Sequence, residues 1–94
     1  MPYDLPLPRQ LEKLWKIRIW DRELRYEEPH VTIFRKSVHW RWGLRRGEFL
    51  DPRPDPRRVP GKILDLIHGN HGELCRQWNS LYPTNPVARE VDDQ

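Results

Sequence analysis

The chain has 94 residues, a formal net charge of +3, a pI near 9.4 and charged residues at 33% of the total. This length suits one small domain, and the mildly basic balance is compatible with a nucleic acid or an acidic protein partner. A single cysteine excludes an internal disulfide, no apolar run can cross a bilayer, and no signal peptide is visible, so we expect a cytoplasmic, membrane-free protein.

The first half of the chain indicates an arm followed by strands. Residues 1–12 contain three prolines and are predicted to form an extended arm, because proline fixes φ and lacks a backbone donor. Three segments then alternate apolar and polar side chains, as strands do. They are residues 13–20, 29–35 and 38–44, with a polar connection over 21–28 and a turn at Lys36 and Ser37. Arg46 and Gly47 suit a tight hairpin turn before a short strand at 48–50.

The second half indicates a stiff connector and a helix. Residues 51–60 contain four prolines, which no helix or strand interior tolerates, and Asp55 could cap a short turn there. From residue 60 to residue 82 the apolar side chains recur at ~100° per residue and share one arc. The members of this arc are Ile63, Leu64, Ile67, His71, Leu74, Cys75, Trp78, Leu81 and Tyr82. Because the phase holds through Gly69 and Gly72, one helix is predicted.

These segments together predict an α+β fold. An antiparallel meander of three to four strands is covered on one face by one long C-terminal helix. The sheet side of the core is predicted to consist of Trp15, Ile17, Ile19, Val31, Ile33, Val38, Trp40, Trp42 and Leu44. Residues 13–82 then form a single domain between the arm at 1–12 and a polar tail at 83–94.

The opposite face of the predicted sheet carries cations beside flat rings. The candidate nucleic-acid-binding residues are Lys16, Arg18, Trp20, Phe34 and Arg41. Cations neutralise phosphates, and each stacked base adds ~1–3 kcal/mol. Two other interpretations stay open. Antiparallel sheets often have one solvated face, and leucines of the arm could cover Trp20 and Phe34.

Catalysis on the same face is a further hypothesis. His30, His39 and Arg41 could cleave RNA without a metal. One imidazole would take the 2′-hydroxyl proton, the other would protonate the leaving oxygen, and the arginine would stabilise the charged intermediate. His68, His71 and Cys75 share one side of the predicted helix, but a zinc site needs a fourth ligand from elsewhere. We therefore predict neither a metal nor a cofactor.

Three motifs give the chain a family resemblance. YEEPHVTIF, VHWRW and ILDLIHGNHGELCRQWNSLY are similar to segments of the small bacterial family catalogued as domain of unknown function 4160. The matching positions are Pro29, His30, Val31, Asn70, Trp78 and Asn79, whereas the family's second histidine is Thr32 here. The resemblance implies a single-domain α+β protein from a gene pair of the toxin–antitoxin type, without an established reaction.

Two function classes follow from these observations. The first is a toxin-like component of a bacterial two-gene module, which acts on RNA or translation through the basic face and has a small acidic protein as its antitoxin-like partner. The second is a non-enzymatic interaction module that docks a protein on the exposed face or on an edge strand. Salt separates the two, because nucleic-acid binding weakens steeply as ionic strength rises.

Overall fold

The computed structural model of the protein describes residues 1–22 and 27–87. Within these residues the fold is α+β, with a five-stranded antiparallel sheet whose strands lie in chain order. The strands are β1 (Tyr3–Asp4), β2 (Lys16–Ile19), β3 (His30–Arg35), β4 (Val38–Gly43) and β5 (Glu48–Phe49). The helices are α1 (Arg9–Glu12), α2 (Gly61–Gly69) and α3 (His71–Leu81), with a 3-10 turn at Pro56–Arg58.

The core lies between the helices and one face of the sheet. Every sheet residue predicted for the core is buried, except Val38, which is partly buried against it. The rings of Trp15 and Trp40 are 5.7 Å apart and fill one end of this layer. Alternation of apolar and polar residues therefore predicted the buried face correctly, because successive strand side chains point to opposite faces.

The N-terminal segment is part of the sheet and not only an arm. Its strand β1 pairs antiparallel with β2, with Tyr3 opposite Ile19. Leu5 is buried in the core, and its N–H donates to the carbonyl of Ile17 at 2.9 Å. The predicted count of three to four strands is therefore wrong by this added strand, which is only two residues long and is flanked by Pro2 and Pro6.

The predicted single long helix is also wrong, because the helical segment divides at Asn70. This residue has φ −115° and ψ 17°, and its side-chain amide donates to the carbonyl of Leu66 at 2.8 Å. Asparagine competes with helical hydrogen bonding in this way. The apolar stripe nevertheless continues across the break, since the buried side chains of α2 and α3 enter the same core. They are Ile63, Ile67, Leu74 and Trp78.

The two ends of the helical layer are fixed by hydrogen bonds. Asp55 caps the 3-10 turn as predicted, with its carboxylate accepting from the N–H of Arg57 at 2.9 Å. At the other end, residues 83–87 dock on the domain. The indole of Trp78 donates to the carbonyl of Asn85 at 2.7 Å, and Arg45 donates to the carbonyl of Val87 at 2.8 Å.

Two predicted segments fall partly outside the described part of the chain. Residues 23–26 belong to the predicted polar connection, and residues 88–94 belong to the predicted tail. Among the helices of residues 1–22 and 27–87, none combines the length and the apolar character that a bilayer crossing requires.

Candidate nucleic-acid interface

The strand register decides which side chains meet on the sheet face away from the helices. In one row, Arg18 of β2 lies opposite Thr32 of β3, which lies opposite Arg41 of β4. In the next row, Lys16 lies opposite Phe34, which lies opposite His39. All these residues alternate with core residues along their strands, so they share the other face. The register therefore places the predicted binding residues of the three strands in two adjacent rows.

The aromatic rings on this face form a short series. The rings of Trp20 and Phe34 are 5.8 Å apart in an edge-to-face arrangement, and those of Phe34 and His39 are 4.5 Å apart. The guanidinium of Arg18 lies 4.6 Å from the centre of the Trp20 ring and 5.8 Å from that of Phe34. Such contacts stabilise both the cation and the ring. Trp20 and Phe34 are half-buried, so each ring retains accessible surface.

The leucines of the N-terminal segment do not form the proposed cover over these rings. Leu5 is a member of the core cluster, and Leu7 and Leu11 pack against it. Neither Trp20 nor Phe34 belongs to that cluster or packs against it. The interpretation in which these leucines cover the two rings is therefore wrong.

Beside the rings lies a groove of about 370 Å³. Its lining includes Trp20 and Phe34 together with four cationic side chains, which belong to Lys13, Lys16, Arg18 and Lys36. Lys36 reaches this position because the turn between β3 and β4 gives it a φ of 54°, the left-handed conformation that two-residue hairpin turns need. The groove therefore combines a mainly cationic wall, which also includes the carboxylate of Glu12, with an aromatic wall. We call it the lysine groove.

The two arginines of the face already have carboxylate partners. Arg18 donates from Nε to Asp4 at 2.6 Å and from Nη2 at 3.2 Å. Arg41 donates from Nε and Nη2 to the two oxygens of Asp51 at 2.8 Å each, and from Nη1 to Glu27 at 3.1 Å. The hydrogen bond to Asp4 raises the pKa of Arg18, and those from Arg41 lower the pKa of Asp51. Because the partners are carboxylates, the Arg18–Arg41 row carries less net positive charge than its sequence suggests.

The lysines of the groove differ from these arginines. In residues 1–22 and 27–87, the ion pairs involve none of Lys13, Lys16 and Lys36. All three are exposed. The lysine groove, near the β3–β4 turn, therefore offers three exposed cations to an anionic ligand. Lys13 and Lys36 were not among the predicted site residues, although Lys13 begins a predicted strand and Lys36 lies in the predicted turn between two others.

The two candidate catalytic histidines are placed differently. His30 is 2% exposed, with its Nδ1 2.7 Å from the carbonyl oxygen of Glu28 and its ring 5.6 Å from that of Trp78. The expectation that this ring projects onto the open face is therefore wrong. His39 is exposed. In the register, His30 faces Gly43 and His39 faces Phe34.

This register separates the two imidazoles along the sheet. The two paired positions on β3, His30 and Phe34, are four residue steps apart, which is roughly 13 Å at ~3.3 Å per residue. A general acid and a general base must both come within hydrogen-bond reach of one phosphodiester. The structure thus does not bring His30 and His39 together, and Arg41, which lies between them, holds two carboxylates.

The three helical residues that were considered as metal ligands, His68, His71 and Cys75, are divided. The Cys75 thiol lies 3.5 Å from Nε2 of His71, which in turn lies 2.9 Å from the carbonyl oxygen of Leu44. His68 instead places its ring 5.6 Å from that of Trp42. Burial raises the pKa of the Cys75 thiol, which disfavours the thiolate that binds metals. Across the described residues, no three histidine, cysteine or carboxylate side chains are grouped so that they could hold a metal ion.

Comparisons with known proteins add no relative to this description. No family model, no curated protein and no solved structure matches the chain. The resemblance to domain of unknown function 4160 therefore stays a prediction from short motifs around Pro29, Asn70 and Trp78. What the site can do has to be inferred from the geometry of the lysine groove and its neighbouring rings.

Proposed function

We propose that this chain binds single-stranded RNA in the lysine groove and does not cleave it. The observation that supports this proposal is the position of three exposed lysines beside the half-buried rings of Trp20 and Phe34. A protein that binds single-stranded nucleic acid without sequence preference uses two main features of its ligand, the charged backbone and the unstacked bases. Cations along a groove and accessible aromatic surfaces are the matching features of their binding sites.

The expected electrostatic contribution follows from the number of lysines. Lys13, Lys16 and Lys36 can neutralise three phosphates, so the logarithm of the binding constant should fall with the logarithm of salt at a slope of about −2. Stacking on Phe34 or Trp20 should add ~1–3 kcal/mol per base. Duplex nucleic acid keeps its bases stacked inside and should bind more weakly.

The positions of His30 and His39 support binding without cleavage. His30 is buried against Trp78, and its register position is distant from that of His39. No single phosphate on the lysine groove would meet both imidazoles, as an acid–base mechanism requires.

The resemblance extends the proposal to a cellular role. In this role the chain is the toxin-like component of a two-gene bacterial module, and it impairs translation by holding RNA. A small acidic protein would act as its antitoxin-like partner by placing carboxylates over the same lysines. RNA and the acidic protein should therefore compete for one surface.

The test measures the fluorescence anisotropy of a labelled single-stranded oligoribonucleotide over a range of salt concentrations. Reversing two groove charges, Lys16→Glu with Lys36→Glu, should weaken binding at least tenfold at low salt and flatten the salt dependence. The matched control makes the same charge change at two exposed positions outside the groove, Arg53→Glu with Lys62→Glu, and should weaken binding less. Phe34→Ala should also weaken binding, because a stacking surface is lost.

Three outcomes would contradict the proposal. Equal affinity of the wild type and the Lys16/Lys36 variant would remove the groove as the binding site. Cleavage of the oligonucleotide by the wild type, lost in a folded His39→Ala variant, would replace binding with catalysis. Salt-insensitive capture of a protein in place of RNA would favour the interaction module.

A further inference from the structure

Arg18 is the groove cation that already holds an anion in the described structure. Its partner, Asp4, lies directly opposite it in the β1–β2 register. The two oxygens of Asp4 accept from Nε and Nη2 of Arg18 at 2.6 and 3.2 Å. These two donors form the parallel pair with which a guanidinium binds a phosphate. Asp4 therefore occupies the position at Arg18 that a phosphate of a bound RNA would take.

The carboxylate of Asp4 is accessible from solvent, so a phosphate can replace it at Arg18. The side chain of Asp4 is 47% exposed and that of Arg18 is 21% exposed. Ion pairs that water can reach add little stability, so a phosphate can displace the carboxylate. The displaced charge stays beside the phosphate, however, because Asp4 is held in the sheet by β1.

A second observation shows what keeps Arg18 in place. Its guanidinium lies 4.6 Å from the Trp20 ring and 5.8 Å from the Phe34 ring. These contacts do not involve Asp4, so they should hold the guanidinium at the groove when the carboxylate loses its charge. Removing that charge would then free a donor pair that is already positioned.

We propose that Asp4 limits the affinity of the lysine groove by competing with the phosphate backbone for Arg18. This inference rests on the proposed RNA binding, and it assigns Asp4 the role of an affinity-determining residue. Lys13, Lys16 and Lys36 provide the initial attraction, and the Arg18–Asp4 pair keeps it weak. An RNA-binding protein that must release its ligand, or yield it to an acidic partner, benefits from such a built-in competitor.

The test compares two neutralising substitutions in the same anisotropy assay. Asp4→Asn keeps an oxygen acceptor for Arg18 but removes the charge, and it should tighten binding about twofold to fivefold at low salt. The salt slope should steepen by about 0.7, the value for one more phosphate contact. Asp65→Asn on α2 makes the same change in net charge at an exposed position outside the groove, and it should leave the slope unchanged.

Combining the substitution with Arg18→Gln identifies the mechanism. When Arg18 is absent, Asp4→Asn should no longer steepen the salt slope, because no donor pair is released. Thermal melts of all variants show whether each is folded. An equal affinity and slope for Asp4→Asn and Asp65→Asn would overturn the inference, and weaker binding by Asp4→Asn would also overturn it, because Asp4 would then be a support for Arg18.

The same measurements separate this inference from the function on which it rests. Salt-dependent binding by the wild type together with an unchanged Asp4→Asn variant removes only the role of Asp4. Absence of binding by both proteins removes the proposed function as well. Binding by the Asp4→Asn variant without measurable binding by the wild type also supports the inference, because Asp4 would then suppress binding at the groove.

Discussion

Trp78 joins three parts of the structure through one side chain. Its ring has no exposed surface, stacks on Tyr82 at 4.1 Å and lies 5.6 Å from His30. Its indole N–H donates to the carbonyl of Asn85 at 2.7 Å. Trp78→Ala should therefore lower the free energy of unfolding by roughly 3–5 kcal/mol, the usual loss for an aromatic core residue. Urea unfolding measures this loss, and an unchanged midpoint would show that α3 does not pack as described.

The two histidines of β3 and β4 should respond differently to substitution. His30→Ala empties a buried site and leaves the carbonyl of Glu28 without its imidazole donor, so we expect a loss of roughly 2–3 kcal/mol. His39 is exposed, and His39→Ala should change the free energy of unfolding by less than about 0.5 kcal/mol. The same urea experiment measures both variants. Equal effects would mean that the burial of His30 is misassigned.

At the scale of the elements, two glycines should respond in opposite ways to substitution by alanine. An added Cβ at Gly69 in α2 has no atom within 4 Å, whereas Gly47 before β5 has a φ of 67°. Gly69→Ala should therefore stabilise the protein by about 0.5–1 kcal/mol. Gly47→Ala should destabilise it, because an L side chain is strained at positive φ. Thermal melts that move in the same direction for both would contradict this difference.

The link between β4 and the connector should be sensitive to acid. Hydrogen bonds from Arg41 lower the pKa of Asp51, so ionised Asp51 favours the folded state. This stability is present above the unfolded pKa of about 4 and is lost as the pH falls through the lower folded value. Asp51→Asn should therefore lower stability at pH 6 and make it fall less between about pH 5 and pH 2. Urea unfolding midpoints measured over this pH range test the prediction, with Asp65→Asn as the control.

The elements were predictable wherever one face of a segment is buried. β2 and β4 alternate apolar and polar residues strictly, and β3 does so from His30 to Ile33. The helical stripe from Ile63 to Trp78 continues through the break at Asn70. The break itself depends on a local hydrogen bond of an asparagine, which periodicity does not reveal. β1 is two residues long between prolines, so it has no period to detect. Its existence depends on pairing with β2.

The open face of the sheet was predictable in its residue types but not in its charge. Arg18 and Arg41 were placed correctly on the open side of the sheet by strand alternation. Their partners are distant in sequence, with Asp4 and Glu27 each 14 residues away and Asp51 10 residues away. The sequence therefore could not show that both arginines are neutralised. Because this neutralisation was not visible in the sequence, the sequence also did not distinguish the lysine groove from the arginines.

At the scale of the whole molecule, the proposed role predicts an effect on growth. Controlled expression of the wild type in a bacterial host should slow growth, because RNA held in the lysine groove is withdrawn from translation. The Lys16→Glu, Lys36→Glu variant should be harmless at the same expression level, and the Arg53→Glu, Lys62→Glu control should still slow growth. Growth curves with immunoblots of the expressed protein measure this. A harmless wild type would leave the interaction module as the remaining function.

The prolines that flank β1 have a consequence for how copies of the protein meet. Leu5 directs its N–H toward β2, so the alternation of the strand directs the backbone groups of Pro2, Asp4 and Pro6 outward. Proline has no N–H, so Asp4 carries the one outward donor of this edge. A strand from a second molecule could donate to the outward carbonyls of this edge but would find only one donor to accept from, which weakens edge-to-edge pairing. The prolines thereby disfavour the joining of sheets at β1, and they reduce the risk of aggregation in a protein with five tryptophans.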